Sequence, residues 1–380
     1  MGTGGLLFRG GCAMRVLVLV TDAFGGRGGI AKFNRDFITA LCAHPHCEEV
    51  VTIPRVVIDP LEALPPKLTY AIPGRSKFAF IKTVFLSAWR RPRYDLVVCG
   101  HLNLLPVAFL AGLLTRAPLL LMIFGIDAWT PHRNPLVKWL ARLPSGLISI
   151  SELTAVRFSA WSRYPKARQY LLPNAIDLTR YHPGEKPAYL LQRYGLNGRR
   201  VILTLGRLSA DERYKGFDEV MEALPKIRRA LPDTVYVIAG EGTDRGRLER
   251  KARDLDVANC VIFTGYVREQ EKIDHYRLAD AYVMPSRGEG FGFVLLEALA
   301  CGVPVVASSV DGGREALRNG LLGTLVDPDD QDGLVQAIIK TLGQPKGKVP
   351  AGLEYFSYQN FEKRVHHIID QVLEPRANDK

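Results

Sequence analysis

The sequence predicts an α/β protein made of two Rossmann-like, doubly wound domains whose sheets face each other across a deep cleft. Three observations lead there. Short apolar runs alternate with amphipathic segments from Met14 onward, the rhythm of βαβ units and a parallel sheet. The series occurs twice, with a turn-rich stretch between. A chain of 380 residues, 47% of them apolar, can bury two cores at roughly 150 residues per domain.

The first series places strands at Arg15–Val20, Glu49–Ile53, Leu96–Cys99, Leu119–Ile123, Gly146–Ile150 and Arg168–Leu172, with helical patterns such as Ala31–Ala43 between them. The apolar stretch Leu102–Phe124 is divided by Pro106, Arg116 and Pro118 into a helix and a strand, so no transmembrane helix is expected there. Between Arg75 and Arg93, Phe78, Ile81, Phe85 and Trp89 fall on one helical face, interleaved with Lys77, Lys82, Arg90, Arg91 and Arg93. That pattern fits a helix packed on the first sheet, or an interfacial helix on an anionic membrane. Leu172–Asp177 and Tyr181–Gly184 read as the linker. The second series runs Arg200–Leu205, Thr234–Ala239, Val261–Thr264, Ala281–Met284, Pro304–Ala307 and Thr324–Val326, with helices expected at Val294–Cys301 and Leu353–Leu373. Residues 1–13 are expected to be a disordered or non-native extension, residues 14–178 the N-terminal domain and 179–352 the C-terminal domain.

The net charge of +11 is uneven. Up to Pro183 there are 22 Lys and Arg against 10 Asp and Glu; beyond it there are 28 against 29. The basic half suits an anionic lipid, a lipid diphosphate or nucleic acid. No nucleic-acid motif accompanies it, which argues against a nucleic-acid-binding protein. The six cysteines show no framework spacing and no secretory signal peptide precedes them, so reduced cytosolic thiols are expected. Cys42, His44, His46 and Cys47 are too crowded for the usual paired zinc spacing, and no metal site is expected.

The most informative stretch is Pro285-Ser286-Arg287-Gly288-Glu289-Gly290-Phe291-Gly292-Phe293, continuing to Glu297. It sets two carboxylates eight positions apart around a glycine turn between a strand and a helix start. Carboxylates accept hydrogen bonds from sugar hydroxyls, and N–H groups at a helix start favour phosphate. A second pair, Gly206-Arg207 and Lys215-Gly216, follows another strand and offers a guanidinium fork and a point charge, a combination suited to diphosphate. Gly240 lies in a further glycine turn at the same edge. In the first half, Gly25–Ala31 forms a glycine-rich loop after the first strand, while His101 and Asp127 follow later strands. Each of these residues also has a plain structural reading as a turn or solvated surface residue. Asp327-Pro-Asp329 follows the last strand and reads as a turn and helix start.

This constellation resembles the retaining nucleotide-sugar glycosyltransferases of GT-B fold, family 4, over Met14 to about Pro375 and most strongly over Arg200–Asp327. The resemblance implies that Glu289 holds the donor sugar hydroxyls, Glu297 the ribose, and Arg207 with Lys215 the diphosphate. It implies phosphate contacts from the N–H groups of Phe291 and Gly292, with Gly206, Gly240 and Gly290 in the donor-binding loops. Gly28-Gly29 looks like the family's glycine loop and His101 like its cleft histidine. Phe124-Gly125-Ile126-Asp127 stands where the family usually has a His-Gly segment, leaving Asp127 on the acceptor side. The helix at about 353–375 would return to the first domain. The implied reaction transfers a hexosyl-type sugar from a UDP- or GDP-sugar to an acceptor hydroxyl with retention, on a lipid-linked or cell-envelope glycan. Arg207, Lys215 and the helix start would stabilise the leaving phosphate, so neither cofactor nor metal is expected. The expected location is cytoplasmic, either free or peripheral on the inner face of the membrane. A nucleotide-sugar epimerase is the alternative enzyme class; it would bind the same donor without transfer to an acceptor.

Overall fold

The structure, a computed structural model, describes residues 13–374. Apart from Ala13, the expected extension lies outside these residues. The chain divides into two compact units. The first contains the chain up to Ile150, Thr154–Leu172 and the residues from Phe361 onward. Its seven strands are β1 (Met14–Val20), β2 (Cys47–Pro54), β3 (Leu68–Tyr70), β4 (Leu96–Cys99), β5 (Leu119–Ile123), β6 (Gly146–Ser149) and β7 (Gln169–Leu171). They form one parallel sheet in the order β3-β2-β1-β4-β5-β6-β7. Val16 to Val20 are wholly buried, as a parallel strand covered on both faces requires. The direction of winding reverses between β1 and β4, the place where doubly wound sheets open a crevice at their carboxyl ends.

The second unit contains Ser151–Leu153 and Pro173–Asn360. Its strands are β8 (Arg200–Leu205), β9 (Thr234–Ala239), β10 (Val261–Gly265), β11 (Ala281–Met284), β12 (Val305–Ser308) and β13 (Thr324–Val326). They too form a parallel sheet, in the order β10-β9-β8-β11-β12-β13. Here the switch point falls between β8 and β11, the two strands whose loops carry the motifs.

Several boundaries differ from expectation, each for a physical reason. The chain passes from the first unit to the second after Leu172, because Ile176 already bonds to the second unit through the Phe356 carbonyl at 2.8 Å. The expected Leu353–Leu373 helix is broken: Leu353–Phe356 is a 3-10 turn, and the α-helix spans Tyr358–Leu373. Phe356 belongs to the second unit, where it meets Phe291 edge-on at 5.5 Å, while Phe361 meets Phe33 of the first unit at 5.6 Å. The three-residue edge strand β3 was not expected, being too short to show alternation.

The helix near Arg75–Arg93 spans Lys77–Ala88, capped by Ser76, whose hydroxyl accepts from Ala79 N–H at 3.0 Å. Its buried stripe is Phe80, Val84 and Ala88. The expected stripe is therefore two residues out of phase at its start, and Phe78 and Trp89 are each 76% exposed. With eight apolar residues among its twelve, the helix supports two stripes of helical spacing, and packing on the sheet selects one. In the Cys42–Cys47 segment, His44 lies 3.1 Å from Asp370 and edge-on to His366, tying this turn to the Tyr358–Leu373 helix. Among the described residues no group of three or more His, Cys, Asp or Glu side chains is placed to hold a metal ion.

The buried stripe Phe361, Val365, Ile368 and Ile369 makes that helix a structural part of the first unit. Phe361→Ala is expected to destabilise the first unit by about 3–5 kcal/mol, as measured by urea unfolding. A change below about 1 kcal/mol would show that the helix is only loosely docked.

Candidate active site

The carboxyl ends of β8 and β11 meet at one close contact. Gly216 has φ +87°, and a Cβ on it would lie 2.7–2.8 Å from Pro285. Only a glycine allows the Lys215 loop to sit on the loop that leads to Glu289. Arg287 N–H donates to the Tyr214 carbonyl at 2.8 Å, a second tie between the same loops.

The Glu289 loop is also fastened from β12. The buried Asp311 carboxylate accepts from Ser286 Oγ at 2.6 Å, Glu289 N–H at 2.8 Å and Gly313 N–H at 2.9 Å. Gly312 N–H donates to the Glu289 carbonyl at 2.8 Å, and a Cβ at Gly312 would strike the Gly290 carbonyl. Sequence reasoning missed Asp311; its one signal was an Asp-Gly-Gly turn just after an apolar run. Glu289 is partly accessible, and its pKa is pushed up to about 7. Burial is the largest cause, helped by the Asp311 and Glu212 charges and opposed by Lys215 and the Phe291 N–H.

Arg207 and Lys215 do converge, but on a third residue that the sequence reading did not single out. Glu212, in the 3-10 turn Ala210–Lys215, accepts from Arg207 and lies 2.7 Å from Lys215 Nζ. Burial alone would raise its pKa; the two cations outweigh burial and hold it below the ordinary carboxylate range. Arg207 is largely exposed and Lys215 only 16% exposed. The expected cation pair is thus a cation–carboxylate–cation triplet with one net positive charge.

Glu297 departs from the expected arrangement. Its side chain is 1% exposed and accepts from Tyr181 Oη at 3.1 Å, Tyr276 Oη at 2.7 Å and Lys272 Nζ at 2.7–2.8 Å. The helix Phe293–Ala300 is buried on nearly every side from Leu295 onward, so a carboxylate on it must find internal partners. Glu289 and Glu297 are therefore not brought together in one open pocket.

The remaining donor-loop residues divide similarly. Phe291 N–H lies on the Glu289 side and helps hold its pKa down, and the Phe291 ring is buried against Phe356. Gly292 has φ +95° and starts the helix. Gly206 lies in ordinary contact with Lys215 and Phe217. Gly240 is explained by packing, since its Cβ would overlap the Gly206 carbonyl. Asp327 and Asp329 do form a turn: Asp329 N–H donates to the Asp327 carboxylate at 2.9 Å, and Asp329 pairs with Arg287 at 2.6 Å.

In the first unit, Gly28-Gly29, His101 and Asp127 follow the neighbouring strands β1, β4 and β5. Gly28 has φ +89° and open space where a Cβ would be. His101 Nδ1 accepts from Asn103 N–H at 3.1 Å, and Nε2 lies 3.8 Å from Asp127 Oδ2. Burial pushes the Asp127 pKa up to about 7. Burial first, then His132, pushes His101 below the ordinary histidine range. Two groups shifted chiefly by burial thus lie 3.8 Å apart at a carboxyl strand edge.

Two family models match consecutive parts of the chain: Glycosyltransferase Family 4 over residues 27–180 and Glycosyl transferases group 1 over residues 168–356. The chain belongs to the group 1, family 4 glycosyltransferases. This glycosyltransferase is 36% identical over 225 residues to the GDP-mannose-dependent alpha-(1-6)-phosphatidylinositol monomannoside mannosyltransferase of Mycolicibacterium smegmatis, covering 57% of this chain and 58% of that one. The match thus spans little more than half of that relative's length. Over 363 residues it is 27% identical to the GDP-mannose-dependent monoacylated alpha-(1-6)-phosphatidylinositol monomannoside mannosyltransferase of Corynebacterium glutamicum, covering 90% and 92% of the two chains. Among solved structures, Anabaena HepE in complex with UDP and glucose superposes with a TM-score of 0.75 at 19% identity, covering 94% of this chain and 100% of that one. The apo lipopolysaccharide outer core galactosyltransferase WaaB gives 0.70 at 20% identity, covering 94% and 99%. These likenesses show the GT-B fold.

Because the folded pKa of Glu289 lies above the ordinary value of 4.5, the folded state holds a proton there that the unfolded state has released between about pH 4.5 and 7. Stability from this group is therefore lost as pH rises through that window. Glu289→Gln is expected to gain thermal stability relative to the parent as pH rises from about 4.5 to 7, then level off. A difference that stays flat with pH would contradict a carboxyl that holds its proton above the ordinary range.

Proposed function

We propose that this glycosyltransferase moves a hexosyl unit, with retention, from a nucleoside-diphosphate sugar to a hydroxyl of a lipid-linked acceptor of the phosphatidylinositol mannoside kind. The observation that carries the donor side is the joining of the Lys215 and Glu289 loops at the β8–β11 switch point through Gly216 and Pro285. GDP-mannose is the favoured donor, because both mannosyltransferase relatives carry it in their names. A UDP-sugar is the other candidate, since HepE holds UDP.

In this reading, the acceptor oxygen forms a bond to the anomeric carbon while the bond from that carbon to the β-phosphate oxygen breaks. The acceptor proton passes to the leaving diphosphate. Negative charge grows on that phosphate, and Lys215 with Arg207 is placed to receive it. Glu212 holds both cations in place until the diphosphate replaces it as their partner. With two protein cations supplying the compensation, the reaction needs no metal. Glu289 accepts from donor sugar hydroxyls in its ionised form. For Glu297 to reach a ribose, it must first exchange a bond from Tyr181 or Lys272; otherwise it acts as a positioning residue. Gly28-Gly29, His101 and Asp127 serve the acceptor side, with the Asp127–His101 pair able to hold and pass a proton.

A lipid-linked acceptor would put the enzyme at a membrane surface as a peripheral protein on the inner face. Among the described residues no helix is long and apolar enough to cross a membrane.

Glu289→Ala is expected to lower transfer by at least about 100-fold without lowering the melting temperature. Lys215→Ala should weaken donor binding by about 10- to 100-fold. Thermal stabilisation across a panel of nucleotide sugars identifies the donor, with GDP-mannose expected to give the largest shift. Normal turnover in the Glu289 variant would remove the site from consideration.

A further inference from the structure

Between Glu62 and Glu152 the chain carries eleven Lys and Arg but only two acidic residues, Asp95 and Asp127. Asp95, which accepts from the Arg15 backbone N–H, offsets only one of these charges, and Asp127 lies part-buried at the other end of the sheet beside His101. Much of this charge lies on or beside three helices that cover one face of the first sheet: Lys77–Ala88, Leu105–Thr115 and Pro135–Leu140. The first packs against the second and the second against the third. Lys82, Arg91, Arg93, Arg116, Lys138 and Arg142 are all exposed, and none pairs with a carboxylate among the described residues.

Large apolar side chains stand out among them. Phe78 and Leu86 on the first helix, Trp89 just past its end, Leu113 on the second and Trp139 on the third are between 56% and 76% exposed. So many large exposed apolar side chains on three neighbouring helices are unusual on a soluble surface. The mixture of Trp, aliphatic and basic residues is what a bilayer interface favours: Trp and Phe insert at headgroup depth while Lys and Arg remain beside phosphates. A nucleic acid would use the charge but leave the aliphatic side chains without partners.

The register adds a specific feature. Arg91 and Arg93 precede β4, and Arg116 precedes β5; these strands pair with Val97 opposite Leu119. All three guanidinium groups therefore gather at the amino end of the sheet, the opposite end from His101 and Asp127. Their mutual repulsion shows in Arg93, whose pKa is held down first by Arg91 and, after burial, by Arg116. Beside them lies a groove of about 300 Å³ lined by Phe109, Leu113, Leu119 and Leu143, with Arg116 and Ser145 at its polar side. An acyl chain matches the apolar wall and a phosphate matches the arginines.

We infer that the outer face of these three helices is a docking surface for an anionic phospholipid bilayer, with Arg91, Arg93 and Arg116 as its headgroup-phosphate site. This inference rests on the membrane-surface part of the proposed function, but not on the donor chemistry.

Co-sedimentation of the full chain with phosphatidylglycerol–phosphatidylcholine vesicles, against pure phosphatidylcholine vesicles and over a salt series, tests it. The parent is expected to bind the anionic vesicles, with affinity falling as salt rises. The triple variant R91E/R93E/R116E should lose at least about 100-fold in affinity, since each basic residue near an anionic surface contributes roughly a factor of five. F78S/W89S should weaken binding while keeping the salt slope, because it removes insertion without touching charge. Absence of binding by the parent, equal binding to neutral vesicles, or undiminished binding by the triple variant would each overturn the surface. Binding to a soluble polyanion but not to vesicles would overturn it in favour of a different anionic partner. Stabilisation of the same variants by nucleotide sugar is measured in parallel. Its retention in R91E/R93E/R116E, alongside lost vesicle binding, supports two separate sites; its absence in the parent would sink the donor reading and leave the vesicle result standing.

Discussion

The bare Cα of Gly216 against the Pro285 carbonyl is the contact on which the geometry of the proposed donor site depends. Two parallel strands that are adjacent in the sheet but far apart in sequence, β8 and β11, deliver their loops to one point, and a left-handed glycine lets those loops touch. Lys215 then comes close enough to act on the Glu289 carboxyl, and Tyr214 accepts a hydrogen bond from Arg287. Asp311 completes the arrangement from β12, fixing the Glu289 main chain rather than its carboxylate. The side chain is left partly accessible with an elevated pKa, while its main chain is held at both its N–H and its carbonyl. Such a division suits a group that must meet a substrate in one orientation.

The two glutamates eight positions apart show how environment divides one motif into different roles. Glu289 sits at a loop, partly accessible, with like charges near it and a pKa near neutrality. Glu297 sits inside a helix that the core surrounds, and a carboxylate there is tolerable only when ion-paired and hydrogen-bonded. Lys272 supplies the charge, and Tyr181 and Tyr276 supply the remaining donors. Burial and the neighbouring Glu297 charge push both tyrosine hydroxyls well up in pKa, so they stay protonated as donors. Removing Lys272 alone would leave a buried charge without its cation, a costlier change than removing both groups together.

Strands buried on both faces were legible because their apolar runs have no other reading: Arg15–Val20 and Ala281–Met284 appear in the structure with at most one residue added. The sheet-end positions of Arg207, Lys215, Glu289, His101 and Asp127 follow from those strands. Interactions set by tertiary contact were not legible. Nothing local marks Asp311 as the anchor of a loop some 22 residues earlier; Glu212 is close in sequence to both its cations, but their meeting depends on the 3-10 turn that Ala210–Lys215 adopts. Likewise the Lys77–Ala88 helix offered two apolar stripes, and only the sheet beneath it decides that Phe80 and Val84 go inward. The break at Ser357 was hidden because the residues on both sides have helical spacing.

Charge distribution adds a last step. In the second half, cations and carboxylates are nearly equal in number, and many are used internally: Arg247 bridges Asp218 and Asp244, Lys251 joins Asp218 to Glu222, and Arg287 joins Glu219 to Asp329. Pairs of that kind add modestly to stability and leave little field outside the protein. In the first half the excess is not spent this way, because acidic partners are missing along nearly ninety consecutive residues apart from Asp95 and Asp127. Uncompensated charge on a folded surface costs self-repulsion, visible at Arg93. An exposed Trp-bearing apolar face costs solubility on top of that. Both costs disappear together when the surface meets an anionic interface, since phosphates screen the arginines and the acyl region takes up Phe78 and Trp89. The basic excess of this chain is therefore better understood as a property of one helical face than as a property of the whole protein.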